Sequence, residues 1–261
     1  MINEFKPVPF QEYLGIDMAS SSVLKTILNQ SPAHSRVKKE QTPAMALGSA
    51  AHRAVLEPDL FKNEYAVAPK CDKRTKKGKA EFAEFEESAA GKTVISFDDM
   101  ILIQNIEVAV RENKTASLLL SDGQAEISGF FTDPIENVPC KIRPDFLHKN
   151  GMIIDLKTCQ DASPAGFGRQ VITFGYDLQS SFYSYGFEQI TGEECQGFYF
   201  VAVEKSEPYG CCVYPAEYNI LELGKEKLRR ALKLYAECER FNVWPGYPEA
   251  SRLDVPGWAF K

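Results

Sequence analysis

An apolar run that an acid and a base interrupt marks a strand in Gly151-Met152-Ile153-Ile154-Asp155-Leu156-Lys157-Thr158. Strand side chains point to opposite faces in turn, so Met152, Ile154 and Leu156 share one face and Ile153, Asp155 and Lys157 the other. The first face reads as core. The second carries an acid and a base inside an otherwise apolar strand. Upstream, residues 124–132 and 138–148 read as earlier strands of the same meander, and 196–204 with 209–215 as a further strand pair. Elsewhere the period is helical. Ser20, Ser21 or Ser22 caps a helix reaching about Asn29 and stopped by Ser31-Pro32. A second helix spans about 43–57 and is closed by Pro58. Residues 76–90 are charged and helical, and Ser96-Phe97-Asp98-Asp99 opens a helix through about Asn113. Residues 176–190 and 217–240 complete the set, the last with Ile220, Leu221, Leu228, Leu232 and Tyr235 on one stripe. Residues 1–17, with Pro7 and Pro9, read as irregular, and so does the tail from Trp244. Helices first, then strands with helices flanking them predict one α/β domain: a mainly helical part over 1–115 and a central mixed β-sheet core over 116–261.

The loop Lys149-Asn150-Gly151 decides what the charged face can do. A two-residue loop of Asn150-Gly151 would set Asp145 against Leu156, on the wrong side of the sheet. A three-residue loop with Gly151 in the left-handed conformation sets Asp145 against Asp155. A one-residue slip separates the two carboxylates, so the spacing predicts the three-residue loop. Two such carboxylates raise each other's pKa unless a cation lies between them. Oxygen-rich sites of this kind suit Mg²⁺ or Mn²⁺. The bland alternative is a surface hairpin with an ordinary Asp–Lys pair.

Composition narrows the class. The chain has 261 residues, 44% hydrophobic and 25% charged, as in a soluble globular protein. No apolar run approaches the length of a membrane span, and Met1-Ile2-Asn3-Glu4-Phe5-Lys6 lacks a signal-peptide pattern. The seven cysteines are scattered with no Cys-x-x-Cys pair, which argues against a zinc site or a disulfide framework and for a reducing cytoplasm. A net charge of −6 counts against a nucleic-acid footprint, but charge can be segregated. Lys70, Lys73, Arg74, Lys76, Lys77 and Lys79 form a basic run beside Asp72. It reads either as a solvated loop entering a helix or as a phosphate-neutralising patch.

Other candidates are individually weak. In Gly48-Ser49-Ala50-Ala51-His52-Arg53-Ala54 small residues let the helix approach another backbone closely. His52 then reads as a hydrogen-bonded core histidine or as a metal ligand through a neutral ring nitrogen. His34 and His148 lie near predicted turns. Gln179 and Tyr183 share one helix face and offer an amide and a hydroxyl to a phosphate or a metal-bound water. Glu126 is either a third carboxylate or a solvent-facing residue of an edge strand.

Taken in order, His52, Pro144-Asp145, Asp155-Leu156-Lys157 and Gln179-x-x-x-Tyr183 resemble the motif series of the PD-(D/E)XK nuclease superfamily. The histidine helix and the Gln-x-x-x-Tyr pair resemble its RecB-type, lambda-exonuclease-like branch. Met18-Ala19-Ser20-Ser21-Ser22-Val23-Leu24-Lys25, the segment from Ala46 to Pro58 and the aromatic Gln179 helix are similar to the C-terminal nuclease domains of RecE-type (exonuclease VIII) prophage enzymes, over nearly the whole chain. The resemblance implies the PD-(D/E)XK fold and a Mg²⁺ ion, with Mn²⁺ as a substitute, held by Asp145, Asp155, the Leu156 backbone carbonyl and His52. It implies a catalytic set of Asp145, Asp155, Lys157, Gln179 and Tyr183, and the patch Lys73, Arg74, Lys76 and Lys77 fits the DNA it would act on. It further implies 5′-to-3′ digestion of linear double-stranded DNA leaving 3′ single strands for recombination, a homotetrameric ring and the single-strand annealing protein RecT as partner. Competing readings are a repair or restriction endonuclease of the same superfamily, a catalytically inactive DNA-binding module, and a hydrolase of small phosphoesters.

Overall fold

The computed structural model describes residues 3–38, 40 and 42–253. In chain order they form β1 (Glu4–Lys6), α1 (Phe10–Gly15), α2 (Ser21–Asn29), α3 (Pro32–Ser35), α4 (Pro43–Leu56), α5 (Pro58–Glu64), β2 (Tyr65–Val67), α6 (Lys76–Ser88), β3 (Thr93–Ile95), α7 (Phe97–Glu112), α8 (Lys114–Leu119), β4 (Gly123–Ala125), β5 (Ser128–Asp133), β6 (Val138–Ile142), β7 (Phe146–His148), β8 (Met152–Cys159), α9 (Pro164–Thr173), α10 (Tyr176–Thr191), β9 (Gly197–Glu204), β10 (Cys211–Pro215) and α11 (Tyr218–Phe241). Small polar side chains open the helices as expected: Ser20 accepts from the Val23 N–H, Thr42 from Met45 and Ser96 from Asp99. No helix among the described residues is long and apolar enough to cross a membrane.

The central sheet has five strands in the order β10-β9-β8-β7-β4. It is mixed: β8 and β9 run parallel, and the other neighbours antiparallel. Parallel neighbours need a crossover, and α9 and α10 supply it. A second sheet, β1-β5-β6, leans on α10, and β2 and β3 pair as a small parallel ribbon.

Several expectations change. Residues 124–132 and 138–148 are not two continuous strands. Each is split, β4 from β5 and β6 from β7, and the halves belong to different sheets. Pro144 explains one break, because it has no N–H to offer a ladder. Glu126, at φ +54, marks the other. The N-terminal segment is not wholly irregular, since β1 pairs with β5 and α1 follows it. Pro58 ends one helix and also begins the next, α5, at a position that needs no N–H donor.

Both faces of β8 are covered. Ile154 and Leu156 join Ala50, Ala51 and Ala54 of α4, Ile103 and Ile106 of α7 and Val201 of β9 in one core. Ile153, on the charged face, is equally buried, with Phe182 of α10, Phe198, Phe200 and Leu228 of α11. The acid and the base on β8 are therefore roofed by protein rather than turned to open solvent. The small residues Ala50, Ala51 and Ala54 of α4 pack in the core beside β8, and a Cβ added at Gly48 would make only an ordinary contact with Thr158 Oγ1, at 4.0 Å.

Candidate active site

Strands β7 and β8 set Phe146 opposite Ile154 and Leu147 opposite Ile153. Lys149, Asn150 and Gly151 join them, and Gly151 takes φ +79, a conformation open to glycine without steric cost. Extended by one residue, this register places Asp145 opposite Asp155, as the three-residue loop requires. Asp145 lies just beyond the end of β7, and its Oδ2 accepts the Leu156 N–H at 2.8 Å.

The break in the long strands builds the adjoining wall. The Glu126 N–H donates to the Asp145 carbonyl at 3.0 Å. Arg143 Nε donates to Glu126 Oε2 at 2.6 Å, and Nη1 reaches Ser128 Oγ and the Val8 carbonyl. A left-handed glutamate costs about 1–2 kcal/mol. The guanidinium fork and the backbone bond hold it there, with its carboxylate aimed at Asp145 rather than at solvent.

Two helices close the pocket from opposite layers. From α4, His52 Nδ1 lies 3.4 Å from Asp145 Oδ2, with the Leu156 backbone beside its ring. From α10, Gln179 Nε2 donates to Asp155 Oδ1 at 2.7 Å. The other Asp155 oxygen pairs with the Lys157 ammonium. That ammonium also lies 4.9 Å from the centre of the Tyr176 ring. Lys25 Nζ, from α2, donates to Gln179 Oε1 at 3.3 Å. Tyr183 sits one turn from Gln179, deep against Phe198, with its hydroxyl by the Arg143 backbone.

The electrostatics follow from burial and crowding. Burial, then the Asp155 charge, pushes the Asp145 carboxyl up to about 7. Burial and the Asp145 charge raise Glu126 as well. Burial, then the nearby Lys157 ammonium, lowers His52 to about 4, so its ring is neutral at pH 7. Burial alone would lower Lys157, but the charges of Asp155 and Asp145 outweigh it and hold the ammonium well above its ordinary range.

Residues 20–253 match the family described as a PDDEXK-like domain of unknown function (DUF3799). The chain belongs to this PD-(D/E)XK-like family. The fold agrees: a crystal structure of a protein from Eubacterium rectale assigned as an exonuclease superposes with a TM-score of 0.60 at 15% identity, covering 94% of this chain and 97% of that one. A phage-related exonuclease from Haemophilus somnus 129PT gives 0.37 at 15% identity, covering 89% and 100%. An alkaline exonuclease from Laribacter hongkongensis gives 0.31 at 15%, covering 74% and 90%. No curated protein matches the chain.

PD-(D/E)XK nucleases generally use divalent metal ions, and the residues here fit one. One ligand atom each from His52, Glu126 and Asp145 lie within 4.8 Å of one another. Octahedral ligands held at about 2 Å from an ion stand roughly 3–4 Å apart. Burial and the Asp155 charge disfavour the ionised form of Asp145, and a cation placed beside it would offset both. Glu126, open between two readings in the sequence, joins this trio. Asp155 does not, because its oxygens are engaged by Gln179 and Lys157.

Three residues of this PD-(D/E)XK-like pocket escaped sequence reasoning. Arg143 lay inside a segment read as one strand, and only the sheet switch reveals what it holds. Lys25 and Tyr176 gave no usable signal. Among the other candidates, His34 bonds Ser31 in α3, at 2.6 Å, and His148 lies in β7, accepting the Asn150 N–H. In the basic run, Arg74 forks onto both oxygens of Asp72, and Lys73 caps the Phe82 ring at 3.2 Å. Lys76 and Lys77 occupy the first turn of α6, where the helix dipole already makes the potential positive, so an anion there is favoured.

Proposed function

We propose that this chain is a Mg²⁺-dependent exodeoxyribonuclease that degrades the 5′-ended strand of linear double-stranded DNA and leaves 3′ single-stranded tails for recombination by strand annealing. One observation carries the reading: His52, Glu126, Asp145, Asp155, Lys157 and Gln179, scattered over about half of the chain, converge on one pocket with the charge pattern that phosphodiester hydrolysis needs. The exonuclease assignment of the Eubacterium rectale protein that shares the fold and the resemblance to RecE-type enzymes support an exonucleolytic reading. The same resemblance supports a homotetrameric ring, RecT as partner and a cytoplasmic setting.

Hydrolysis adds water across a P–O bond: the water oxygen bonds phosphorus, its proton leaves, and the departing sugar oxygen gains one. His52, Glu126 and Asp145 would hold the cation, with the Leu156 carbonyl and Asp155 at its margin. A bound divalent cation neutralises the phosphate and acidifies bound water. Lys157, kept charged by Asp155 and Asp145, cannot serve as a base at neutral pH. It opposes the extra negative charge of the five-coordinate phosphorus. The neutral His52 ring keeps a lone pair free for a ligand role. Gln179 fixes the Asp155 carboxylate, and Tyr183 backs the wall on which the scissile strand rests. Lys73, Arg74, Lys76 and Lys77 take the duplex backbone, with Arg74 exchanging Asp72 for phosphate.

The test uses a linear duplex labelled at one 5′ end or one 3′ end and a covalently closed circle, with and without Mg²⁺. Early release of the 5′ label as mononucleotide, strict Mg²⁺ dependence and an untouched circle are expected. Nicking of the circle would make the protein an endonuclease, and metal-independent release would remove the assigned chemistry altogether.

A further inference from the structure

The Gln179 amide stands between two groups of opposite hydrogen-bonding character. Lys25 Nζ lies 3.3 Å from its oxygen, and Asp155 Oδ1 lies 2.7 Å from its nitrogen. An ammonium can only donate and a carboxylate can only accept. One orientation of the amide satisfies both neighbours. The flipped one sets its NH₂ against the ammonium and its oxygen against the carboxylate, losing two bonds and adding two repulsions.

The chain aims Lys25 at this spot. It comes from α2, 154 residues before Gln179 in sequence. Its stem runs along Gly175, where an added Cβ would stand 2.9 Å from Lys25 Cδ and 3.1 Å from Cγ. Its ammonium lies 5.7 Å from the centre of the Tyr176 ring, which the Lys157 ammonium also approaches. Both cations thus serve one carboxylate, Lys157 directly and Lys25 through the amide.

We propose that Lys25 is a positioning residue: it locks the Gln179 amide, and the locked amide fixes the plane of the Asp155 carboxylate that holds Lys157. As far as catalysis goes, this inference rests on the nuclease reading above, but the locked amide itself does not. Removal of the ammonium frees the amide to rotate, and Asp155 Oδ1 loses its fixed donor. The role is indirect, so it vanishes when Gln179 is absent.

Lys25→Met keeps the stem and removes the charge. In ¹⁵N-correlated spectra the Gln179 side-chain NH₂ pair, assigned by its loss in Gln179→Met, is expected to shift and exchange faster in Lys25→Met and to return towards its original position in Lys25→Arg. On linear duplex, kcat should fall about tenfold, the scale of one charge-assisted hydrogen bond, with KM within about twofold. In a Gln179→Met background, adding Lys25→Met should produce no further loss. Unmoved Gln179 NH₂ resonances in a folded Lys25→Met protein would overturn the proposal. So would a raised KM with unchanged kcat that persists without Gln179, since Lys25 would then touch DNA itself. If the wild-type chain shows no nuclease activity, the functional reading fails while the spectra still decide this one.

Discussion

Asp133 and Asp145 both lie where water is scarce, and they titrate in opposite directions. Burial pushes each carboxyl up, but Asp133 accepts bonds from the Glu136 N–H, the Tyr185 hydroxyl and Arg229 Nη1, each at 2.7 Å, and ends below its ordinary range. Asp145 accepts one backbone N–H, faces Glu126 and Asp155, and ends at about 7. The first cluster is saturated: every charge has its partner, and its role is to join β5 to α10 and α11. The second sets three carboxylates, Glu126, Asp145 and Asp155, against two paired cations, Arg143 and Lys157, and so is left short of positive charge. Burial is common to both, so it is the supply of partners that separates a carboxyl held low from one pushed high.

The comparison can be broken most severely by deletion. Asp155→Ala or Lys157→Ala should reduce nucleotide release by at least about a hundredfold, the scale of one lost transition-state contact, while circular dichroism stays native. Wild-type digestion by either variant would cancel the assigned roles. Asp133→Ala should do the reverse, lowering the urea-derived unfolding free energy by about 2 kcal/mol with turnover per folded molecule retained. The loss stays at the low end because Arg229 is partly exposed and can rehydrate. An inactive but fully stable Asp133→Ala protein would erase the distinction.

Titration sharpens it further. With its folded pKa raised from 3.8 to about 7, Asp145 contributes stability that is full below the unfolded value and lost as pH rises through about 7. His52, lowered from 6.5 to about 4, contributes stability present above 6.5 and lost as pH falls through about 4. The two slopes oppose one another between those limits. A cation must displace the Asp145 proton but finds His52 already neutral. Mn²⁺ or Mg²⁺ binding at pH 6 should therefore release about one proton, and affinity should rise up to about tenfold per pH unit until pH 7. Calorimetry in buffers of different ionisation enthalpy measures this, and proton-free binding at pH 6 would refute it. The smallest effect belongs to the surface: Lys76→Ala and Lys77→Ala should each lower the slope of log affinity for duplex against log salt by about 1, as phosphate contacts do.

Much of the site's centre was readable from local chemistry. The period of β8, a glycine at the loop and the rule that a slipped register inverts every side chain were enough to pair Asp145 with Asp155. Six of the eleven helices among the described residues were placed within a residue or two, α2 and α7 from their capping side chains, while α1, α3, α5, α8 and α9 were not foreseen. What escaped was of two kinds. Ser163-Pro164, which caps and opens α9, was not read as a helix start, and Pro144 was read as part of a motif rather than as a strand breaker. Lys25, Arg143 and the left-handed turn at Glu126 depend on contacts between distant segments, which periodicity does not encode. The roof over the charged face of β8 was not legible, because α10 announces itself only as a helix, not by where it lies.

The origin of the pocket's side chains has a practical corollary. Asp145, Asp155, Lys157, Gln179 and Tyr183 all follow residue 116, but His52 arrives on α4 and Lys25 on α2. A fragment cut to the sheet core would retain the acids and the lysine that name the family while lacking the imidazole against Asp145 and the clamp on Gln179. On the nuclease reading proposed above, truncation mapping would then report an intact signature in an inert protein, and the helical half of the chain would belong to the machinery rather than to its casing.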